Sequence, residues 1–297
     1  MIWSHVRETL RTSVSPRDTL VAVLLSASIL GVASFWQTDV LRMPLTSQVG
    51  GSSSSSGNPL LDAPVLNQSH MTYAGKFRIP DPVPVGIKQT SSFTIGGLAF
   101  RRLNGNLRFF LTSHSYEGGL VYEVNYPGQS TTTAPIATFL KSWGDVYKGH
   151  KCELKLGAWK CGLGDGVWTH GLYFDEVSQR LYWSYGNWYD TANFDGKHAF
   201  GFSTLDDSTG ESQGFGPWGV AGASAHWTRG GVTPIPQWFA DQFTGGKNLG
   251  IGFGGMRYSI IAAASKGTAL MAVDPPAPTT ATGTALPRTV LVGYPNN

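Results

Sequence analysis

The sequence predicts an all-β fold assembled from repeated antiparallel sheets, and three observations carry that reading. Glycine supplies 38 of the 297 residues, about 13%, where about 7% is usual. Charged residues amount to only 14%, whereas aromatics reach 12% and include ten tryptophans, a composition of short strands and turns rather than of a helical bundle or a disordered tail. Short apolar-alternating runs, separated by Gly, Pro, Asn and Asp, recur from about residue 96 to the C-terminal end, as strands and turns require. The net charge of +3 is small and unclustered, so no nucleic-acid partner is expected.

The N-terminal region gives the compartment. Arg7, Arg11 and Arg17 stand against Glu8 and Asp18, and Thr19 to Trp36 holds no charge, the layout of an export signal. Gly31-Val32-Ala33 offers small residues where a signal peptidase reads, which favours cleavage; the long basic region and Trp36 at the far interface favour an uncleaved membrane anchor. A buried core helix is the third reading. Gly50-Gly51, five serines from Ser52 to Ser56 and Gly57-Asn58-Pro59 form a tether that cannot bury apolar surface. The expected division is therefore residues 1–45 as basic region plus signal peptide or anchor, 46–70 as linker, and 71–297 as the β domain. The β domain is expected outside the cytoplasm, anchored through residues 19–36 or secreted or periplasmic after cleavage. There the only two cysteines, Cys152 and Cys161, are expected to form a disulfide across a hairpin, two free thiols being the alternative. A lone C-x8-C lacks the further ligands of a zinc site.

Within the β domain two segments align. Gly96-Gly97-Leu98-Ala99-Phe100, a turn over 103–106, the run 107–113 and the run 120–124 are followed, 74 residues after Gly97, by Gly171-Leu172-Tyr173-Phe174, a turn over 176–179, the run 181–185 and the run 199–203. A weaker third copy runs over 249–256, 269–275 and 289–295. Repeated sheets of this kind predict a β-propeller; a β-sandwich with chance similarity between hairpins is the alternative. The phrase G-L-x-F, a turn, then L-x-[FW] resembles the blade opening of secreted propellers of the NHL, strictosidine-synthase-like and esterase-like phytase groups, and of uncharacterised bacterial propellers. The resemblance spans residues 72–297 and rests on blade-packing motifs, so it implies a fold and not an activity.

About three units are recognisable where a closed ring usually needs at least four. Thr72 to Phe77 reads as an outer strand of a further blade. An incomplete ring, a ring closed by irregular segments and a ring completed by a partner chain are all open, the first being favoured because bare edges are a hazard. One helix is expected over Pro236 to Phe243, with Pro early and Gly245-Gly246 beyond its end, inside an insertion between the second and third units.

Candidate chemistry is sparse. His170, expected to open the inner strand of the second unit, with Trp168 and Asp165, is the best channel-mouth candidate, Asp165 holding the imidazole for acid-base work; a blade-packing histidine is the plainer alternative. His114 and Glu117, which follow the second strand of the first unit, are further ligand-contact candidates, and Glu117 or Asp190 is a possible carboxylate partner for the acid-base reading. The densest aromatic cluster runs from Tyr182 to Asp190, and Tyr185, Trp188, Tyr189 and Asp190 could offer a sugar ring apolar faces beside polar partners, or fill the gap between sheets. Asn193-Phe194-Asp195-Gly196 resembles the middle of a calcium loop, but Thr191 and Phe202 stand where ligands belong, so a turn is the better reading and no metal site is expected. Nucleotide-binding, metalloprotease and serine-hydrolase signatures are absent from the sequence, and no cofactor is expected. The first functional expectation is a binding module for glycan or another small ligand at the cell envelope. A hydrolase or lyase with a channel-mouth site is the second, and a scaffold of an envelope complex is the third.

Overall fold

The structure, a computed structural model, describes residues 67–92, 94, 96–155, 158–161, 167–187, 199–223, 228, 230–252 and 267–294. The hydrophobic segment, the tether, Asp165, Trp188, Tyr189, Asp190 and the calcium-like loop lie outside the described residues. Two compact units divide the chain. The smaller comprises Met1–Lys76 with Ser130–Thr132; its described part has a short 3-10 turn, Gln68–His70, whose first amides are capped by Asn67, and a reciprocal bridge between Lys76 and Ser130. The larger unit, Phe77–Gln129 with Thr133–Asn297, holds the sheets, and the expectation of an all-β protein is met.

The first sheet is an antiparallel meander of β1 (Leu98–Leu103), β2 (Asn106–Thr112), β3 (Val121–Asn125) and β4 (Phe139–Gly144), in that order. Its β1–β2 turn is Asn104-Gly105, with φ of 52° and 78°. This left-handed pair matches the twist of a two-residue hairpin and sets the Leu103–Asn106 register. A separate hairpin, β5 (Cys152–Lys155) and β6 (Ala158–Cys161), follows. The second meander is β7 (Val167–Asp175), β8 (Arg180–Asn187), β9 (Phe200–Leu205) and β10 (Ser212–Val220). The third contains β11 (Val232–Pro234), β12 (Leu249–Gly252) and β13 (Gly267–Val273). The chain then lays β14 (Ala285–Leu286) in parallel along β10 before β15 (Arg288–Tyr294) finishes the third sheet.

The third repeat was expected one strand out of phase. Leu249 begins the second strand of its sheet, not the first. The true first strand, β11, is three residues long and ends on Pro234, too short to show alternation. The helix, α1 (Gln237–Phe239, continued by a π turn over Ala240–Thr244), therefore sits between the first and second strands of the third sheet rather than between two units.

Face packing follows the alternation of side chains. On β8, Leu181, Trp183 and Tyr185 face the first sheet and join Phe110, Val121 and Trp143. Tyr182 faces the third sheet, and with Phe200, Phe202 and Trp218 packs against Leu249, Ile251 and Met271. The outer face of the first sheet is covered by Phe77, Ile79, Val83 and Val85, and that of the third by Ile235, Phe239 and Ala240. β7 lies beside both β1 and β11, so the sheets stack with their first strands adjacent.

Candidate functional site

The two ends of this stack differ. At one end the β1–β2, β7–β8 and β9–β10 links are tight turns, alongside the longer β3–β4, β11–β12 and β13–β15 connections. At the other, β1, β7 and β11 begin, β2, β8 and β12 end, and β3, β9 and β13 begin, with long connections between them. Contacts join these starts: a side chain on Gly96 would collide with the carbonyl of His170, and one on Gly171 with that of Gly230. The loop-bearing end is thus shared by all three sheets.

The link from β2 to β3 carries the first candidate residues. His114 caps the short turn Ser115–Glu117, its Nδ1 accepting the Tyr116 N–H at 3.2 Å. Gly118 and Gly119, at φ of 79° and 67°, end the turn in left-handed conformations that only glycine adopts at little cost. A side chain on Gly119 would also press within 3.0 Å of Thr169 Oγ1. Burial, and secondarily the charge of Lys88, push the His114 pKa below the usual imidazole value against the opposing Glu117. The ring is therefore neutral near pH 7 and acts as a hydrogen-bond acceptor and packing surface. It lies 5.2 Å from the Tyr116 ring, whose edge meets Trp168 at 5.3 Å. His114 and Trp168 are buried, while Tyr116 keeps 45% of its surface exposed. Glu117 accepts the Lys88 N–H through Oε1 at 2.6 Å, and its Oε2 lies buried against Gly86 with no hydrogen-bond partner among the described residues.

His170 does not open β7 as expected; the strand begins at Val167. His170 is the extra residue of a bulge between Thr169 and Gly171 and is buried at 5% exposure. Tyr185, proposed from sequence as a ligand contact, lies in the core against Trp183, with its hydroxyl accepting the Cys152 N–H at 3.2 Å. His114, Glu117 and Trp168 are brought together; Asp165 and Trp188 to Asp190 lie outside the described residues. Among the described residues no group of three or more metal-ligating side chains occurs.

Sequence reasoning missed Lys151. Its ammonium is fully buried, lies 4.0 Å over the Tyr147 ring, and donates to the Gly118 carbonyl at 2.5 Å and to Thr169 Oγ1 at 3.3 Å. Tyr147 donates to the Gly119 carbonyl at 2.7 Å and sits 2.5 Å from Thr169 Oγ1. One proton per hydroxyl gives a single chain: lysine to threonine, threonine to tyrosine, tyrosine to Gly119. Desolvation pulls the Lys151 pKa down to about 7, with Asp145 opposing. This chain fastens the loop bearing Tyr116 to the strand bearing Trp168. Its only sequence signal is a lysine between His150 and Cys152, which has no pattern to mark it.

Cys152 is disulfide-bonded, and Cys161, the only other cysteine in the chain, stands directly opposite it in the β5–β6 ladder. Reduction should lower the unfolding free energy by about 2–3 kcal/mol, the value for so short a loop. Denaturant unfolding with and without reductant measures it, and coincident curves would contradict it.

A groove of about 580 Å³ lies at the turn end of the first sheet, lined by Arg102, Asn106, Arg108, Asn125, Tyr126 and Leu140 among others. No protein-family model, curated protein or solved structure matches the chain. Fold and site together define a class: an all-β protein of three stacked sheets whose first strands begin side by side at one end.

Proposed function

We propose that the chain is a ligand-recognition module of propeller type, held at the cell envelope by its N-terminal segment, that binds glycan on its loop-bearing end. The observation that carries the reading is the half-exposed Tyr116 ring, braced by His114 and Trp168. An exposed aromatic face carrying a phenolic hydroxyl suits a sugar ring, which offers apolar C–H and polar O–H groups together. The three meanders with adjacent first strands support the propeller part of the reading, and the uncharged run 19–36 supports the envelope part. Asn187 and Phe200, which flank the segment holding Trp188 and Tyr189, stand at this same end.

Tyr116→Ala should weaken binding to the best saccharide of a glycan array by about fivefold, the effect of losing roughly 1 kcal/mol of ring contact. Unchanged binding would sink the platform. A hydrolase or lyase is the second reading, favoured by Lys151, whose pKa near 7 next to the Thr169 hydroxyl is the kind of perturbation active sites hold. Its complete burial and its bonds to two loop-anchoring partners favour a structural role. Turnover on a panel of polysaccharides and esters that His170→Ala abolishes would support the enzyme instead.

A further inference from the structure

We infer that the chain associates with a second copy of itself by strand addition, the edge formed by Phe77, Arg78 and Ile79 of one copy receiving β15 of the other. The argument starts from a repeated pairing. Just before β15, β14 binds the outer strand of the neighbouring sheet in parallel, Gly219 opposite Ala285, with the Gly219 N–H donating to the Thr284 carbonyl at 3.1 Å. Just before β4, the chain does the same to Arg78, which stands parallel opposite Ile136; its N–H donates to the Pro135 carbonyl at 2.8 Å, and the Ala137 N–H returns to the Arg78 carbonyl at 2.8 Å.

Arg78 thus takes the place of Gly219, and its neighbours Phe77 and Ile79 that of Trp218 and Val220. The side chains agree: Trp218 and Val220 pack into the core between the second and third sheets, and Phe77 and Ile79 into the apolar face of the first. The partners differ on one side only. In β10 the Trp218 carbonyl accepts the Ala199 N–H at 2.8 Å, and β9 occupies that edge. Among the described residues the amides and carbonyls of Phe77 and Ile79 have no hydrogen-bond partner. Among the described residues the segment is an outer strand with no inner neighbour, and it presents the template that β9 fills elsewhere.

The choice of occupant follows from the chain's other edges. β10 is covered by β14. β4 is an edge blunted by Lys141, which lies 3.6 Å over the Trp143 ring and 3.6 Å from the Asp207 carboxylate. β15 is also an edge, but after Arg288 it carries no charge, and Val290 and Val292 are 46% and 42% exposed. Bare apolar edges without charge are what native sheets otherwise avoid. A head-to-tail contact repeated from copy to copy, closing a ring or extending a filament, satisfies both open edges, because each copy carries one of each.

The test uses the full chain in mild detergent. The wild type should sediment as a dimer or larger assembly, and Val290→Lys with Val292→Lys should reduce it to a monomer of unchanged melting temperature. Cys152 is already disulfide-bonded, so added thiols report cleanly. Differently tagged Arg78→Cys and Val292→Cys chains, mixed and oxidised, should crosslink about tenfold more than a control pairing Val177→Cys with Val292→Cys, as docking raises the local thiol concentration. A monomeric wild type, an assembly that survives the double lysine variant, or a 78–292 crosslink no stronger than the control each overturns the proposal. Retained monomer with a foreign strand captured on Phe77–Ile79 overturns it equally, in favour of a different partner.

Discussion

Replacing Arg101 with methionine is expected to lower the unfolding free energy by about 3–5 kcal/mol, the cost of stranding a buried charge. Glu123, its partner, is fully buried, and Arg101 itself is 2% exposed. Arg101 Nε and Nη2 each donate to the Glu123 carboxylate at 2.8 Å, while Nη1 and Nη2 reach Asp207 at 2.6 and 2.7 Å. The guanidinium also lies 5.1 Å from the Phe110 ring centre and 5.6 Å from that of Trp143. Burial works against the charge, yet the bonds from Asp207 and Glu123 outweigh it and hold the Arg101 pKa above its usual value. The network ties β1 and β3 to the turn after β9. Among the described residues, Glu123 without Arg101 keeps only the Trp143 N–H at 3.3 Å and Arg108 at 3.7 Å. The double variant Arg101→Met with Glu123→Leu should recover most of the loss, since an apolar pair of similar volume replaces a buried ion pair at little cost. Urea unfolding of the two single variants and the double completes the cycle. A single-variant loss below about 1 kcal/mol, the range of an exposed pair, would contradict the reading.

Stability should rise with pH between about 7 and 9, by an amount of order 1 kcal/mol per unit, and Lys151→Met should flatten that slope. The sign comes from the direction of the shift. In the folded state Lys151 titrates near 7, against an ordinary 10.5. Between those values the unfolded chain holds a proton that the folded chain has released, so raising the pH favours the fold. Below pH 7 both states are protonated and the full desolvation cost is present without further slope. The methionine variant keeps the packing over Tyr147 and loses only the bonds to Gly118 and Thr169. Chemical unfolding at several pH values in the wild type and the variant measures the difference. A wild-type curve that falls across this window, or a variant with the same slope, would contradict it.

The strands were legible where alternation was long. Leu107 to Ser113 and Leu181 to Tyr185 both announce strands that the structure contains, and Asn104-Gly105 names its own turn. β4 and β10 escaped notice because their apolar residues are spread among Ser, Lys, Gly and Pro, and β11 because it is three residues long. The helix was visible from Pro236 and Gly245-Gly246, which mark its ends. The site was less legible. His114, Glu117 and Trp168 were singled out separately, yet nothing in sequence says that residues 114 and 168 share a surface, since only sheet stacking brings them together. Tyr116, in a loop between His114 and two glycines, drew no attention because an isolated loop aromatic has no period. Lys151 is marked out by its burial, which a sequence does not display. The bulge at His170 also depends on Gly230 and Gly96 approaching β7 from other sheets.

The central claim is that ligand meets the chain on its loop-bearing end, at Tyr116. Amide chemical-shift mapping of the isotope-labelled protein, titrated with the best saccharide from an array, tests it most directly. Ser113 to Gly119 and Val167 to His170 should shift together and saturate with one affinity, while the turn at 104–106 and the arginine-lined groove beside it stay fixed. Shifts confined to that groove, or none at any saccharide concentration, would contradict the claim.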